Sequence, residues 1–380
     1  MHAEQTTDRD ETSAIRIEQG VCHVLFAYDL GLAIDLRRAE RLITATTQRA
    51  RIKHKRRAPH YFEYQPPPLR LTHGIEPQGV AGFHTTASAE LVVYGFGAVS
   101  VAYQIPLGGV LEDLLPLADE LYDHEGLLAD SRRQAEELLE AIRPSVKKPR
   151  VSDLVEDYAI YQLERITPAG ELDRVVLANG PTIARILRAE PTVLSDQEVS
   201  DALGSRISFG PGDMAVLDWN ASMLFDEDAD DVLAVLEFAN VELLEMRFLD
   251  DRLDDALGEA YGKLSRRGWR RSGLFRSRAT DMRRVAELQV DSAVLFEGVN
   301  NGLKLLGDQY LARLYRMTSQ RLHIGEWDTT ILRKLHTLES IYQKLNDLQT
   351  TARMEVLEWI IIILIALSIV LSFIPGVTIA

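Results

Sequence analysis

An α+β domain, mixing strands and helices, followed by a long antiparallel helical stalk that ends in one C-terminal transmembrane helix, is the architecture expected of this 380-residue chain. Three observations lead to it. Strand-like and helix-like segments alternate from Val21 to Phe225. The apolar spacing turns uniformly helical from Asp226 onward. Residues 359–380, WIIIILIALSIVLSFIPGVTIA, carry no ionisable side chain, and as a helix they would rise about 33 Å, near the hydrocarbon thickness of a bilayer. Core helices of that length seldom lack a polar face. The domain boundaries expected are a disordered 1–18, an α+β domain over 19–225 of two similar halves with a seam near 144–152, a stalk over 226–357 and a tail anchor over 358–380.

In order, VCHVLFAYDL from Val21 reads as a strand, and GLAIDLRRAERLITAT after it places Leu32, Leu36, Ala39 and Ile43 on one helical face. A basic run follows, with Arg49, Arg51, Lys53, Lys55, Arg56 and Arg57 in quick succession. Pro66, Pro67 and Pro68 then break regular structure between two short strands. In AELVVYGFGAVSVAYQI two β-branched runs flank Gly95 and Gly97, a hairpin signal, and no third glycine arrives at the spacing of a nucleotide loop. Residues 111–142 turn helical and acidic. Beyond the seam, YAIYQLER and Arg174 to Leu177 read as strands, and GPTIARILRAE as a short helix with Pro181 in its first turn. Ser195 and Glu198 form a capping-box pattern, and RISFGPGDMAVLDWNASMLF reads as three strands.

From Asp226 three long helices are expected, over 229–265, 279–322 and 327–374. Val285, Leu288, Ser292, Leu295, Val299, Leu306, Tyr310, Leu314 and Met317 fall near a heptad seam in the second, and Ile331, Leu335, Leu338, Tyr342, Leu345 and Leu348 in the third. Short loops between long amphipathic helices imply antiparallel neighbours. Between the first two lies an arginine-rich stretch with Lys263, Arg266, Arg267, Arg270, Arg271, Arg276 and Arg278 interleaved with Trp269 and Phe275. Beside a membrane these types attract anionic lipid at about 1 kcal/mol per cation and suit the interface. The same types grip RNA phosphate and stack on bases, and a solvated loop balancing the acidic first helix is the plainer alternative. Glu358 and Trp359 would mark the membrane interface.

A formal net charge of -15 argues against a uniform coating of nucleic acid, although the two basic clusters run against it. The lone cysteine, Cys22, excludes an intramolecular disulfide and any cysteine-rich metal cluster, and fits a reducing compartment. Asp8, Asp10 and Glu11 argue against a transit peptide. The nine histidines are scattered without metal-ligand spacing, and Ser208 and Ser222 lack the context of a nucleophile. No catalytic constellation, cofactor motif or metal site is legible, so a non-enzymatic protein is expected.

The ending, in which Leu357, Glu358, Trp359, Ile360, Ile361 and Ile362 follow a long helix, resembles the domain-of-unknown-function family of the required-for-meiotic-nuclear-division and sporulation-associated proteins. The likeness is most specific over residues 285–372, and neither basic cluster maps onto that family's pattern. The resemblance implies a membrane-anchored, oligomeric protein in a supporting role, and without a transit peptide a bacterial inner membrane with the bulk of the chain cytoplasmic. The expected function is thus a membrane-anchored scaffold or tether that self-associates through its stalk and presents the α+β domain to a protein partner, with anionic lipid under the arginine-rich loop. The alternative is an RNA- or ribosome-binding factor supporting translation through residues 49–57.

Overall fold

A computed structural model describes residues 15–47, 52–54, 67–266, 288, 290, 291, 293 and 309–372. The strands are β1 (Arg16–Asp29), β2 (Ala33–Ile34), β3 (Ile52–His54), β4 (Leu69–Gly74), β5 (Gly79–Val80), β6 (Phe83–His84), β7 (Ser88–Val93), β8 (Ala98–Val110), β9 (Val146–Lys147), β10 (Glu156–Thr167), β11 (Arg206–Ile207), β12 (Met214–Leu217) and β13 (Ala221–Phe225). The helices are α1 (Leu36–Thr47), α2 (Leu114–Leu121), α3 (Glu125–Ile142), α4 (Leu172–Ala178), α5 (Gly180–Arg188), α6 (Asp196–Ala202), α7 (Asp230–Arg266), α8 (Gln309–Arg321) and α9 (Ile324–Ser372). The chain divides into two units. The first is Met1–Leu249 with Asp291–Asp328, and the second is Asp250–Val290 with Thr329–Ala380.

Nine strands of the first unit form one sheet in the order β11-β12-β13-β10-β1-β8-β7-β4-β3. All pairs are antiparallel except β10 with β13, which needs the long crossover through α4, α5 and α6. Alternation along the strands sorts the side chains into two cores. On one face Val24, Phe26 and Tyr28 of β1 and Val99, Val101 and Tyr103 of β8 join Leu114 and Leu117 of α2, Leu127 and Leu138 of α3, and Ile183 and Ile186 of α5. On the other, Leu25, Ala27, Ala98 and Ala102 meet Leu236, Phe238 and Leu244 of α7 and Leu311 and Leu314 of α8. Alanines on this second face leave room for the α7 backbone to approach. The β7–β8 hairpin turns where expected, with the Tyr94 amide donating to the Ala98 carbonyl at 2.9 Å. Gly97 is left-handed at φ +120°, and a Cβ there would stand 1.8 Å from the Gly31 carbonyl oxygen, so only glycine fits.

In the second unit, Leu253, Ala256 and Ala260 of α7 and Ile331, Leu338, Ile341 and Tyr342 of α9 are buried at helical spacing. Lys334 of α9 bridges Asp250 at 2.7 Å and Asp254 at 2.6 Å, one turn apart on α7.

The mixed α+β character is present, but three expectations require correction. Arg174 to Leu177 is not a strand: the segment lies in α4, where the local β-preference of its valines yields to burying Val176 within a helix. Leu314 and its neighbours face the sheet from α8, as does the first half of α7, because an apolar stripe declares a buried face without naming what covers it. The transmembrane helix is also overturned. Among the described residues no helix is long and apolar enough to cross a membrane. The part of α9 from Ile324 to Glu358 is rich in charged and polar residues, Glu326, Asp328, Arg333, Lys334 and Glu339 among them.

Candidate functional site

The densest set of ionised groups in the first unit sits at the β12–β13 turn. Asp218 is placed there by its amide bond to the Ala221 carbonyl (3.0 Å), and its own carbonyl accepts from the buried Tyr158 hydroxyl at 2.9 Å. Its side chain is wholly buried and accepts from three directions. Arg188 Nε at the end of α5 donates to Oδ2 at 3.0 Å. Arg321 at the end of α8 donates to Oδ1 through Nε at 2.9 Å and Nη2 at 2.6 Å. The Trp219 amide adds a bond of 2.8 Å.

Helix α6 closes the cluster from outside. Ser195 caps it, accepting from the Glu198 amide at 3.3 Å as its sequence pattern foretells, and the i, i+3 spacing then sets Glu198 and Asp201 on one face. Asp201 Oδ2 accepts from Arg188 Nη2 at 2.6 Å and Arg321 Nη2 at 2.8 Å, and Glu198 accepts from Arg188 Nη1. Burial works against both guanidinium charges, but the bonds to Asp218 and Asp201 outweigh it and hold both above their ordinary values. Hydrogen bonding from Arg321 holds Asp201 below the usual carboxylate range. Arg188, Arg321 and Asp201 are thereby held in their charged forms. The arrangement is a clamp, and because α5 belongs to one face of the sheet and α8 to the other, Asp218 ties both helical layers together.

A second polar cluster lies between α3 and the sheet. Tyr103 donates to Asp130 Oδ2 at 2.7 Å, Arg133 donates to the same carboxylate, and Gln134 Nε2 reaches it at 3.3 Å. Gln134 also bonds His73, and Tyr28 shares a 2.8 Å bond with Ser131. Burial, with the bond to Asp130, pushes the Tyr103 phenol far up, and burial raises that of Tyr28. Tyr103 donates to α3, and the Tyr28–Ser131 bond ties the same helix to β1.

Helix α7 supplies the third set. Glu237 meets Arg70 at 3.4 Å, Glu242 accepts from Tyr315 at 2.5 Å, and Arg247 pairs with Glu156. Asn240 Nδ2 donates to the Glu156 carbonyl at 3.2 Å. Burial and the neighbouring Asp29 push Glu245 well above the carboxylate range. Glu245 Oε1 and Asn240 Oδ1 are buried and accept no hydrogen bond among the described residues. Cys22 is fully buried, which raises its thiol and leaves it inert. Among the described residues no group of three histidine, cysteine or carboxylate side chains is placed to hold a metal ion.

Most of the site residues expected from the sequence lie outside the described residues. Arg49, Arg51, Lys55, Arg56 and Arg57 lie outside the described residues, whereas Lys53 is in β3, paired with Thr72 at the edge of the sheet. Arg267, Trp269, Arg270, Arg271, Phe275, Arg276 and Arg278 also lie outside them, and Lys263 and Arg266 end α7 with side chains that are not described. Glu358 and Trp359 are in α9, exposed. The clamp was not legible: Asp218 and Arg321 are 103 positions apart, and DWN reads only as a turn.

Comparison with known proteins corrects the resemblance. The matching family is described as "Uncharacterized protein MJ0711, N-terminal domain" and covers residues 19–231, in place of the meiotic-division and sporulation family. A similar protein is "Uncharacterized protein MJ0711" of Methanocaldococcus jannaschii, 24% identical over 243 residues, which are 62% of this chain and 72% of that one. That relative is archaeal and no described helix can cross a membrane, so the bacterial inner-membrane assignment is withdrawn. No solved structure matches the chain. With more than half of its length matched, the chain belongs to the family of the MJ0711 N-terminal domain.

Proposed function

We propose that the protein is a non-enzymatic scaffold whose second unit self-associates and whose sheet unit offers a surface to a protein partner. The observation that carries this reading is the run Trp359 to Ile365 of α9. Each of these seven consecutive apolar side chains is between 47% and 65% exposed, and contiguous apolar exposure of this kind marks an interaction surface. Leu332 on the same helix and Tyr261 on α7 are also half exposed. The ionisable clusters of the first unit support the non-enzymatic part, since their members are spent on holding elements together. Light scattering over a concentration series tests it. The full chain should run as a dimer or larger species, and the chain ending at Arg353 should approach the monomer mass. A full chain that stays monomeric at every concentration rejects the reading.

A second reading rests on the edge position of β3, which sets Lys53 at the border of the sheet. Such a border can grip RNA phosphate, although lysine on an edge strand also serves to prevent edge-to-edge pairing. RNA binding that weakens steeply with salt and is lost when Lys53, Lys55, Arg56 and Arg57 are neutralised favours this reading.

A further inference from the structure

Helix α8 is fastened at three points. At its start Tyr310 meets the Phe209 ring edge-on, with centroids 5.5 Å apart. At its end Arg321 grips Asp218 and Asp201. In its middle the Tyr315 hydroxyl donates to Glu242 Oε2 at 2.5 Å, between two side chains that are both buried. An aromatic contact and a guanidinium clamp keep their character across neutral pH. The middle fastener does not.

Glu242 belongs to the apolar face of α7 that packs with Leu311 and Leu314 of α8 and with the sheet. The titratable groups acting on it are Tyr315 from α8 and Asp328 from the first turns of α9. From the sheet, Asp29 acts instead on Glu245 and Arg70 on Glu237, one turn to either side. Among the described residues the groups acting on Glu242 include no cation, and the neighbouring charge is another carboxylate.

We propose that the contact between α7 and α8 is a protonation-controlled latch, closed while Glu242 is neutral and loosened when it ionises beside Asp328 inside an apolar layer. Burial raises this carboxyl from 4.5 to about 7, the Tyr315 bond opposing and Asp328 adding to the effect. With α8 lifted, Glu242 would titrate in water near its ordinary value. The closed state then binds more protons than the open one between those two values, so the latch weakens as pH climbs from 4.5 and stops weakening above about 7.

Hydrogen exchange of the full chain, corrected for intrinsic rates, reads this out. Protection of the α8 amides should fall by up to about tenfold per pH unit from pH 4.5 to 7 and then level. In Glu242→Gln that fall should flatten. In Tyr315→Phe the levelling point should move to higher pH, because the ionised carboxylate has lost its donor. Constant α8 protection over this range, or an unchanged slope in Glu242→Gln, overturns the proposal. Should Glu242→Gln fail to fold, an unmoved levelling point in Tyr315→Phe overturns it instead.

Discussion

The two faces of the nine-stranded sheet bury comparable strands under different chemistry. The face under α2, α3 and α5 is filled by large side chains, Phe26, Tyr28, Val101 and Tyr103 among them, and its polar groups at Tyr103, Asp130, Ser131 and Gln134 find partners. The face under α7 is built from Ala27, Ala98 and Ala102, and the helix brought close by them carries Glu237, Asn240, Glu242 and Glu245 into the interior. The first face is held by packing. The second is held by packing against an electrostatic load, so its stability falls as pH rises through the neutral range, whereas on the first Asp130 is held below its ordinary value and its contribution is lost only as pH falls into the acid range.

The largest expected break in this contrast comes from the group that serves both faces. Asp218→Ala leaves Arg188 and Arg321 without their buried counter-charge and should cost about 3 to 5 kcal/mol, read as a lowered midpoint in denaturant unfolding at pH 7. Helices of both layers should lose exchange protection together. An intermediate effect is expected on the second face from Glu245→Gln. The native carboxyl is held above its ordinary value, so it weakens the fold progressively as pH rises above about 4.5, and the neutral amide does not. Unfolding at pH 4 should be nearly unchanged and at pH 8 the variant should be more stable by about 1 to 3 kcal/mol; an equal offset at both pH values would contradict the assignment. The smallest effect belongs to the first face. Tyr103→Phe keeps the ring and removes one bond to a carboxylate, which should cost about 1 to 2 kcal/mol with no dependence on pH between 5 and 8.

What the sequence revealed follows the range of the forces involved. The β7–β8 hairpin, the Ser195 cap, Pro181 in the first turn of α5 and the strands β11, β12 and β13 are local events, and their residues announce them. The role of α8 was hidden because Leu314 and Tyr310 keep the same spacing whether they face a helix or a sheet. The clamp was hidden for a related reason, since Arg188, Asp218 and Arg321 meet only after the chain has folded around the sheet edge. The C-terminal apolar run gave a strong composition signal, and no described helix is long and apolar enough to cross a membrane. The acidic load on α7 was visible as letters, but nothing in FANVELLEM says that the carboxylates point inward.

The parallel pairing of β10 with β13 bears on how the molecule assembles. Strands β1, β7, β8 and β10 can zip by antiparallel contacts, whereas β13 joins only after the whole crossover has been made. Until then the edge of β10 that β13 will pair, Ala159 to Leu163, is an open border. During synthesis such an edge is open to mispairing with another nascent chain until the crossover is made.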